Sequence, residues 1–298
     1  MVDDWVSLDS RPMTKKVCMV TGANSGIGRE TAEKLAKLGA TVVMVCRNPH
    51  KGEAAMARIK ARSQSDAVEL LLADFASLDS VRGLAKEFEE KHDSLHVLVN
   101  NAGIARVTRA STKDGFEATF QVNYLSQFLL TNLLLGVLKS SAPSRIVNVS
   151  STSHFRGRID FDDLQLMRGY WVMRAYSQSK LAQVLFTYEL SRRLQGTGVV
   201  VNCLHPGAVA TNMWRNYLGP LAFLGNISRV FLKSPQAGAE TPVYLASSPE
   251  VEGMTGKYFE RKQERRSSSS SYDSALAQRL WEASEKMAGT GPATNGLS

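Results

Sequence analysis

The stretch Thr21-Gly22-Ala23-Asn24-Ser25-Gly26-Ile27-Gly28 decides how the rest of the chain is read. A short apolar run, Lys16–Val20 (KVCMV), leads into it. Directly after it comes an amphipathic segment, Arg29–Leu38, in which Ile27, Thr31, Leu35 and Leu38 share a helical face before Gly39 stops the helix. Glycine is needed where the backbone turns tightly and lets a pyrophosphate approach. The helix behind the turn presents unpaired N–H groups and the positive end of its dipole. A glycine pattern alone says little; the strand before it and the helix after it give it meaning. Gly22, Asn24, Ser25, Gly26, Ile27 and Gly28 are therefore expected to cradle a dinucleotide.

Outward from that turn, short apolar runs alternate with helical stretches. Thr41–Val45, Val68–Leu72, Leu95–Val99, Arg145–Val149, Val199–Leu204 and Lys257–Phe259 join Lys16–Val20 as predicted strands. Their near-continuous apolarity, in place of strict alternation, points to a parallel sheet covered on both faces. The expected fold is α/β: one Rossmann-like, doubly wound parallel domain of about seven strands with helices on both faces, over residues 16–288. Residues 1–15 read as an N-terminal extension and 289–298 as a frayed tail. Leu218–Leu232 is apolar but broken by Gly219, Pro220 and Gly225, and reads as a substrate flap spanning about 212–235. Arg265–Ser271 (RRSSSSS) reads as a solvated loop before a last helix, Ala275–Met287.

Bulk properties exclude several classes. The chain has 298 residues, 43% of them hydrophobic, enough to bury a sizeable core. Its formal charge of +8 is spread along the chain without a nucleic-acid-binding motif, so nucleic acid is not an expected partner. Cys18, Cys46 and Cys203 lie in or beside apolar runs and read as buried small hydrophobes. No acid or cysteine stands at metal spacing from His154 or His205, so both read as loop hydrogen-bonding residues and no metal is expected. No apolar run reaches the roughly 18 residues of a transmembrane helix. A cytoplasmic location is the expectation, with a homo-oligomer left open.

Strand two ends in Val45-Cys46-Arg47-Asn48. A free ribose 2′-hydroxyl calls for a carboxylate there; a 2′-phosphate is better met by a guanidinium. With Arg47 present and no acid, NADP(H) is the expected cofactor. In Tyr176-Ser-Gln-Ser-Lys180 the phenol and the ammonium face the same way on a helix. A nearby ammonium favours the phenolate and brings the hydroxyl toward use as an acid/base. Ser151 closes the fifth strand, where its hydroxyl can reach a substrate oxygen; Ser150 competes for that role. Asn123 lies in an otherwise apolar predicted helix, Phe120–Leu135, and reads from the sequence alone as a buried amide with protein partners.

The T-G-x-x-x-G-x-G turn (Thr21–Gly28), Asn100-Asn-Ala-Gly103, Ser151, Tyr176-x-x-x-Lys180 and His205-Pro-Gly207 together resemble the short-chain dehydrogenase/reductase family, over about nine-tenths of the chain. Cys46-Arg47-Asn48, the F-Q-V-N-Y-L helix, the long Ser151–Tyr176 spacing, H-P-G-x-V-x-T (His205–Thr211) and Leu280-Trp281-Glu282 are similar to its retinol dehydrogenase-like group. The resemblance implies Tyr176 as acid/base, and Lys180 as the group that lowers its pKa and binds ribose. It selects Ser151 over Ser150 to orient the substrate oxygen and gives Asn123 a water-mediated proton relay. It also implies cofactor contacts from Asp74, Phe75, Asn101, Ala102, Gly103, Pro206, Gly207, Val209 and Thr211. Phe155–Ala175, with Tyr170 and Trp171, is expected to form a substrate-side loop.

The implied reaction is hydride transfer between NADP(H) and a lipophilic alcohol, aldehyde or ketone. Membrane-bound retinol dehydrogenases usually carry an apolar N-terminal anchor, which Met1–Lys16 does not resemble. That departure turns the expectation away from retinoids and from the endoplasmic reticulum. A catalytically silent dinucleotide-sensing scaffold is the alternative from another class; the joint presence of Ser151, Tyr176, Lys180 and Asn123 speaks against it. An epimerase or dehydratase would normally carry a larger C-terminal substrate domain.

Overall fold

The computed structural model describes residues 11–208 and 234–290. Its strands are β1 (Val17–Thr21), β2 (Thr41–Cys46), β3 (Val68–Leu72), β4 (Val97–Asn100), β5 (Ser144–Val149), β6 (Val199–His205), β7 (Lys257–Glu260) and β8 (Gln263–Arg265). They form one sheet in the order β3-β2-β1-β4-β5-β6-β7-β8, parallel throughout except for the antiparallel β7–β8 pair. The helices are α1 (Gly26–Lys37), α2 (Pro49–Ser63), α3 (Leu78–Lys91), α4 (Ala118–Phe120), α5 (Ser126–Leu133), α6 (Leu135–Ser140), α7 (Val172–Arg193), α8 (Pro235–Gly238), α9 (Glu240–Ser247) and α10 (Ser274–Ala288).

The apolar runs form central strands because both their faces are covered. On one side Phe88 of α3, Phe128 of α5, Phe186 of α7 and Trp281 of α10 pack on Leu98 and Ile146. Phe128 meets Trp281 edge-on at 4.9 Å between ring centroids, a favoured aromatic geometry. On the other side Leu35 of α1, Ile59 of α2 and Leu245 of α9 pack on Val20, Val42 and Val99. Cys18, Cys46 and Cys203 are buried, unpaired thiols in this sheet, as their setting implied.

Strand order reverses between β1 and β4, which opens a crevice at their carboxyl ends. Polar side chains hold that opening together. Thr21 Oγ1 accepts from the main-chain N–H groups of Asn101 (2.9 Å) and Ala102 (3.0 Å), and Asn101 Nδ2 donates to Thr21 O at 2.8 Å. Asn100 Nδ2 donates to Asn148 Oδ1, and Asn148 Nδ2 to Thr187 Oγ1, each at 2.9 Å, tying β4, β5 and α7 together.

Three readings are corrected. An eighth strand, β8, extends the sheet; all three of its residues are exposed and polar, so no apolar signal marked it. The serine run is not a solvated loop. Ser267, Ser268 and Ser271 are buried: Ser267 Oγ meets Tyr188 OH at 2.6 Å, and Ser268 N–H donates to His154 Nε2 at 3.0 Å. Polar composition suggested solvent, whereas the partners lie far along the chain. Finally, the helix expected over Phe120–Leu135 is not continuous α-helix. Gln121–Leu125 form a π-helical turn between α4 and α5, and α6 starts afresh at Leu135. Such turns often mark functional sites.

Candidate active site

At the carboxyl edge of the sheet lies a cavity of about 1020 Å³, reaching from the glycine turn to Tyr176 and Lys180. Its floor depends on close backbone approach. Gly22 has φ +68°, and a Cβ on Gly28 would stand 2.4 Å from Asn101 Nδ2 and 2.5 Å from Gly22 O. Gly22, Asn24, Ser25, Gly26, Ile27 and Gly28 line this end. Arg47 follows β2, while Lys51, Ala54, Ala55 and Arg58 present one face of α2. Arg29 lies in the first turn of α1; its Nη2 pairs with Glu30 at 2.8 Å, and its buried Nε has no partner among the described residues. Among the described residues, four cations thus line this arm and no aspartate or glutamate does. Such a wall suits a phosphate-bearing ligand.

Asn101, Ala102, Gly103, Ser150, Ser151, His205, Pro206 and Gly207 carry the wall toward the second arm. Asp74 is not on it; its carboxylate lies 3.8 Å from Arg47 Nη1, both side chains being well exposed. Phe75 is buried in the core, where its carbonyl accepts from Ser126 Oγ at 2.6 Å. Val209, Thr211 and residues 212–233 of the expected flap lie outside the described residues. The sequence reading missed Arg29 and Arg58 as lining residues. Arg58 was findable, since it stands seven positions after Lys51 on one helix and so on the same face.

Tyr176 and Lys180 are one turn apart on α7, with Lys180 Nζ 5.4 Å from the Tyr176 ring centroid. Both are buried, 6% and 3% exposed. Burial pushes the Tyr176 hydroxyl up to about 12, opposed by a hydrogen bond with Ser151. Burial also pulls Lys180 down to about 7. Burial thus sets the direction of both shifts. The two serines separate clearly: Ser150 Oγ is spent on the Lys180 carbonyl at 2.9 Å, while Ser151 is the one bonded to Tyr176.

Asn123 sits in the π-helical turn, fully buried, behind the cavity. Its Oδ1 accepts from Ile104 N–H at 2.7 Å, and its Nδ2 donates to Ile104 O (2.9 Å) and Ser179 Oγ (3.0 Å). Ser179 Oγ donates to Tyr176 O at 2.7 Å, so Asn123 couples the post-β4 loop to the turn carrying the tyrosine. His154, another loop residue, has Nδ1 2.6 Å from Ser151 O and Nε2 accepting from Ser268 N–H. His205 Nδ1 accepts from Thr152 N–H at 3.3 Å.

This geometry has relatives. The family described as short chain dehydrogenase matches residues 16–219. The chain belongs to the short-chain dehydrogenase family. Within it, the chain falls in the retinol dehydrogenase-like group. It is 47% identical to human Retinol dehydrogenase 14 over 293 residues, covering 93% of this chain and 87% of that protein. It is 46% identical to mouse Retinol dehydrogenase 13 over 280 residues, covering 92% and 84%. Among solved structures, an uncharacterised protein from Mycobacterium paratuberculosis matches with 35% identity and TM-score 0.77, covering 95% of this chain and 97% of that one. An NADP complex of RhlG from Pseudomonas aeruginosa matches with 26% identity and TM-score 0.68, covering 84% and 96%. This short-chain dehydrogenase is thus an oxidoreductase of a family that uses nicotinamide dinucleotides.

Proposed function

We propose that the protein is an NADP(H)-dependent reductase/dehydrogenase of lipophilic alcohols and aldehydes, with Ser151, Tyr176 and Lys180 as its catalytic residues. One observation carries the reading. A single cavity holds those three side chains at one end and, at the other, a glycine cradle walled by Arg29, Arg47, Lys51 and Arg58, with no carboxylate among the described lining residues. The nicotinamide supplies or accepts the hydride when bound.

The protein's part is to place and protonate. Tyr176, kept neutral by burial, holds a proton ready for the oxygen of a carbonyl, which is what reduction requires. Ser151, beside that hydroxyl, orients the same oxygen. Lys180 offers positive charge next to the phenol and a donor to the cofactor ribose, with Asn123 as the relay residue the family implies. Arg47, close to Asp74 at 3.8 Å and largely solvated, is free to turn to a 2′-phosphate, with Lys51 and Arg58 on the same wall.

Substrate class is read from the segments that leave the carboxyl ends of β4 and β5. Of the six large apolar side chains exposed among the described residues, four, Val107, Phe155, Met167 and Trp171, stand on those segments. Apolar side chains there favour a lipophilic substrate, and the relatives' names make retinol and retinal the first to try. Among the described residues no helix is long and apolar enough to cross a membrane. The test is turnover of NADPH and NADH with retinal, medium-chain aldehydes, steroid ketones and short polar aldehydes. NADPH with the lipophilic carbonyls should give the highest kcat/KM. A preference for short polar carbonyls would overturn the substrate class.

A further inference from the structure

Lys180 is held by more than the helix that carries it. Its Nζ donates to Val149 O at 3.0 Å and to Gln183 Oε1 at 2.9 Å. Gln183 Nε2 donates in turn to Gln127 Oε1 at 2.6 Å, and Gln127 Nε2 to the Ala102 carbonyl at 2.5 Å. Lys180, Gln183 and Gln127 are only 3%, 1% and 2% exposed. The chain links α7 to α5 and ends on the N-N-A-G loop, whose Ala102 lines the cavity.

Its direction is forced. An ammonium only donates, so Gln183 must turn its oxygen to Lys180 and its NH₂ to Gln127. Gln127 is then obliged to present its oxygen to Gln183 and its NH₂ to the Ala102 carbonyl. Three aligned bonds in a water-poor interior polarise one another, and a break would leave a buried polar group unmatched. Two amides at this depth, among Phe128, Val184 and Leu185, are not what packing alone selects.

We propose that Gln183 and Gln127 are positioning residues for Lys180: a buried amide chain that favours the protonated form of its Nζ against the pull of burial, aims its third donor into the cavity, and fixes it relative to the Ala102 loop. The proposal rests on the reading of the site given under Proposed function. Among the described residues no carboxylate bonds to the ammonium. α7 itself supplies Tyr176 and Gln183, β5 the Val149 carbonyl, and α5 Gln127 through Gln183. Tyr176 faces the ammonium at 5.4 Å from Nζ to ring centroid, and the Gln183 amide oxygen with the Val149 carbonyl takes the place of water around it.

The test is the pH profile of kcat for NADPH-dependent reduction of the best aldehyde, in full-length variants, with Tyr176→Phe as control. Gln183→Leu removes the acceptor and should move the alkaline limb down by about one to two pH units, the shift expected for losing a bond to a charged group. Gln127→Leu should move it the same way by less, and Gln183→Glu should move it up. A merely structural role would lower Tm and scale kcat equally at every pH. Limbs unmoved in folded variants, or Gln183→Glu shifting in the same sense as Gln183→Leu, would overturn the proposal. Should Gln183→Leu not fold, Gln127→Leu and Gln183→Glu decide it. Full turnover in Tyr176→Phe would defeat the reading of the site itself; an inactive Tyr176→Phe with unmoved limbs defeats only the amide chain.

Discussion

Arg47 and Lys180 show how single side chains balance affinity against stability. The Arg47–Asp74 approach, at 3.8 Å between exposed groups, contributes little to folding. Arg47→Asp should therefore leave Tm nearly unchanged while penalising NADPH over NADH by roughly ten- to a hundredfold, the scale of a lost charge-assisted bond. Titration of both coenzymes checks this, and an unchanged preference would pass the phosphate to Lys51 or Arg58. Lys180 presents the opposite case. Between about pH 7 and its ordinary 10.5 the unfolded chain holds a proton that the folded chain has released, so stability rises with pH across that window. Below 7 the full cost of the buried ammonium is present, at about 1.4 kcal/mol for each tenfold change in the protonation equilibrium. Lys180→Met should raise the Tm of the cofactor-free protein most at neutral and lower pH. The gain should fade toward pH 10.5; thermal unfolding showing a gain that grows with pH would contradict the burial argument. Tyr176, Lys180, Ser151 and Arg47 were visible in the sequence because spacing and strand ends announce them. Gln127 and Gln183 were not, since an amide in an apolar helix looks the same with or without a lysine to serve.

Among the elements, the turn from β1 into α1 carries the cofactor end of the cavity, and its tolerance is small. Gly28→Ala would push a Cβ against Gly22 O and Asn101 Nδ2, which itself donates to Thr21 O. We expect a loss of about 1–3 kcal/mol in stability, as for other overpacked positions, and a larger loss of coenzyme affinity. Gly83→Ala, on exposed α3 with nothing within 4 Å of the added methyl, is the matched control and should stabilise slightly. Denaturant melts and coenzyme titration of the pair settle it; equal behaviour of the two would refute the close-approach argument. β1, β2, β4, β5 and β6 were legible because burial writes an apolar run into each, and β3 and β7 by their shorter apolar stretches. β8 and the buried serines were not legible. An exposed edge strand has no apolar signature, and nothing local to Arg265–Ser271 names Tyr188 or His154 as partners. The π-helical turn at Asn123 was hidden for a like reason: the Ile104 backbone to which its amide bonds is distant in sequence.

For the whole molecule, the strand order and the glycine turn place one cavity at the sheet's carboxyl edge, and four of the scattered basic residues, Arg29, Arg47, Lys51 and Arg58, meet along one arm of it. The doubly wound architecture followed from alternating strands and helices, whereas the cationic arm on α2 emerged only once that helix was set beside β2. Hydride transfer governed by Tyr176 is read most directly by following an isotope from the nicotinamide to the product. The protein would be incubated with retinal or a medium-chain aldehyde and NADPH deuterated at both C4 positions, and the alcohol analysed by mass spectrometry. The account predicts one deuterium per product molecule, formed about 10²–10⁴-fold more slowly by Tyr176→Phe. Alcohol without deuterium, or labelled alcohol formed equally fast by Tyr176→Phe, would contradict it.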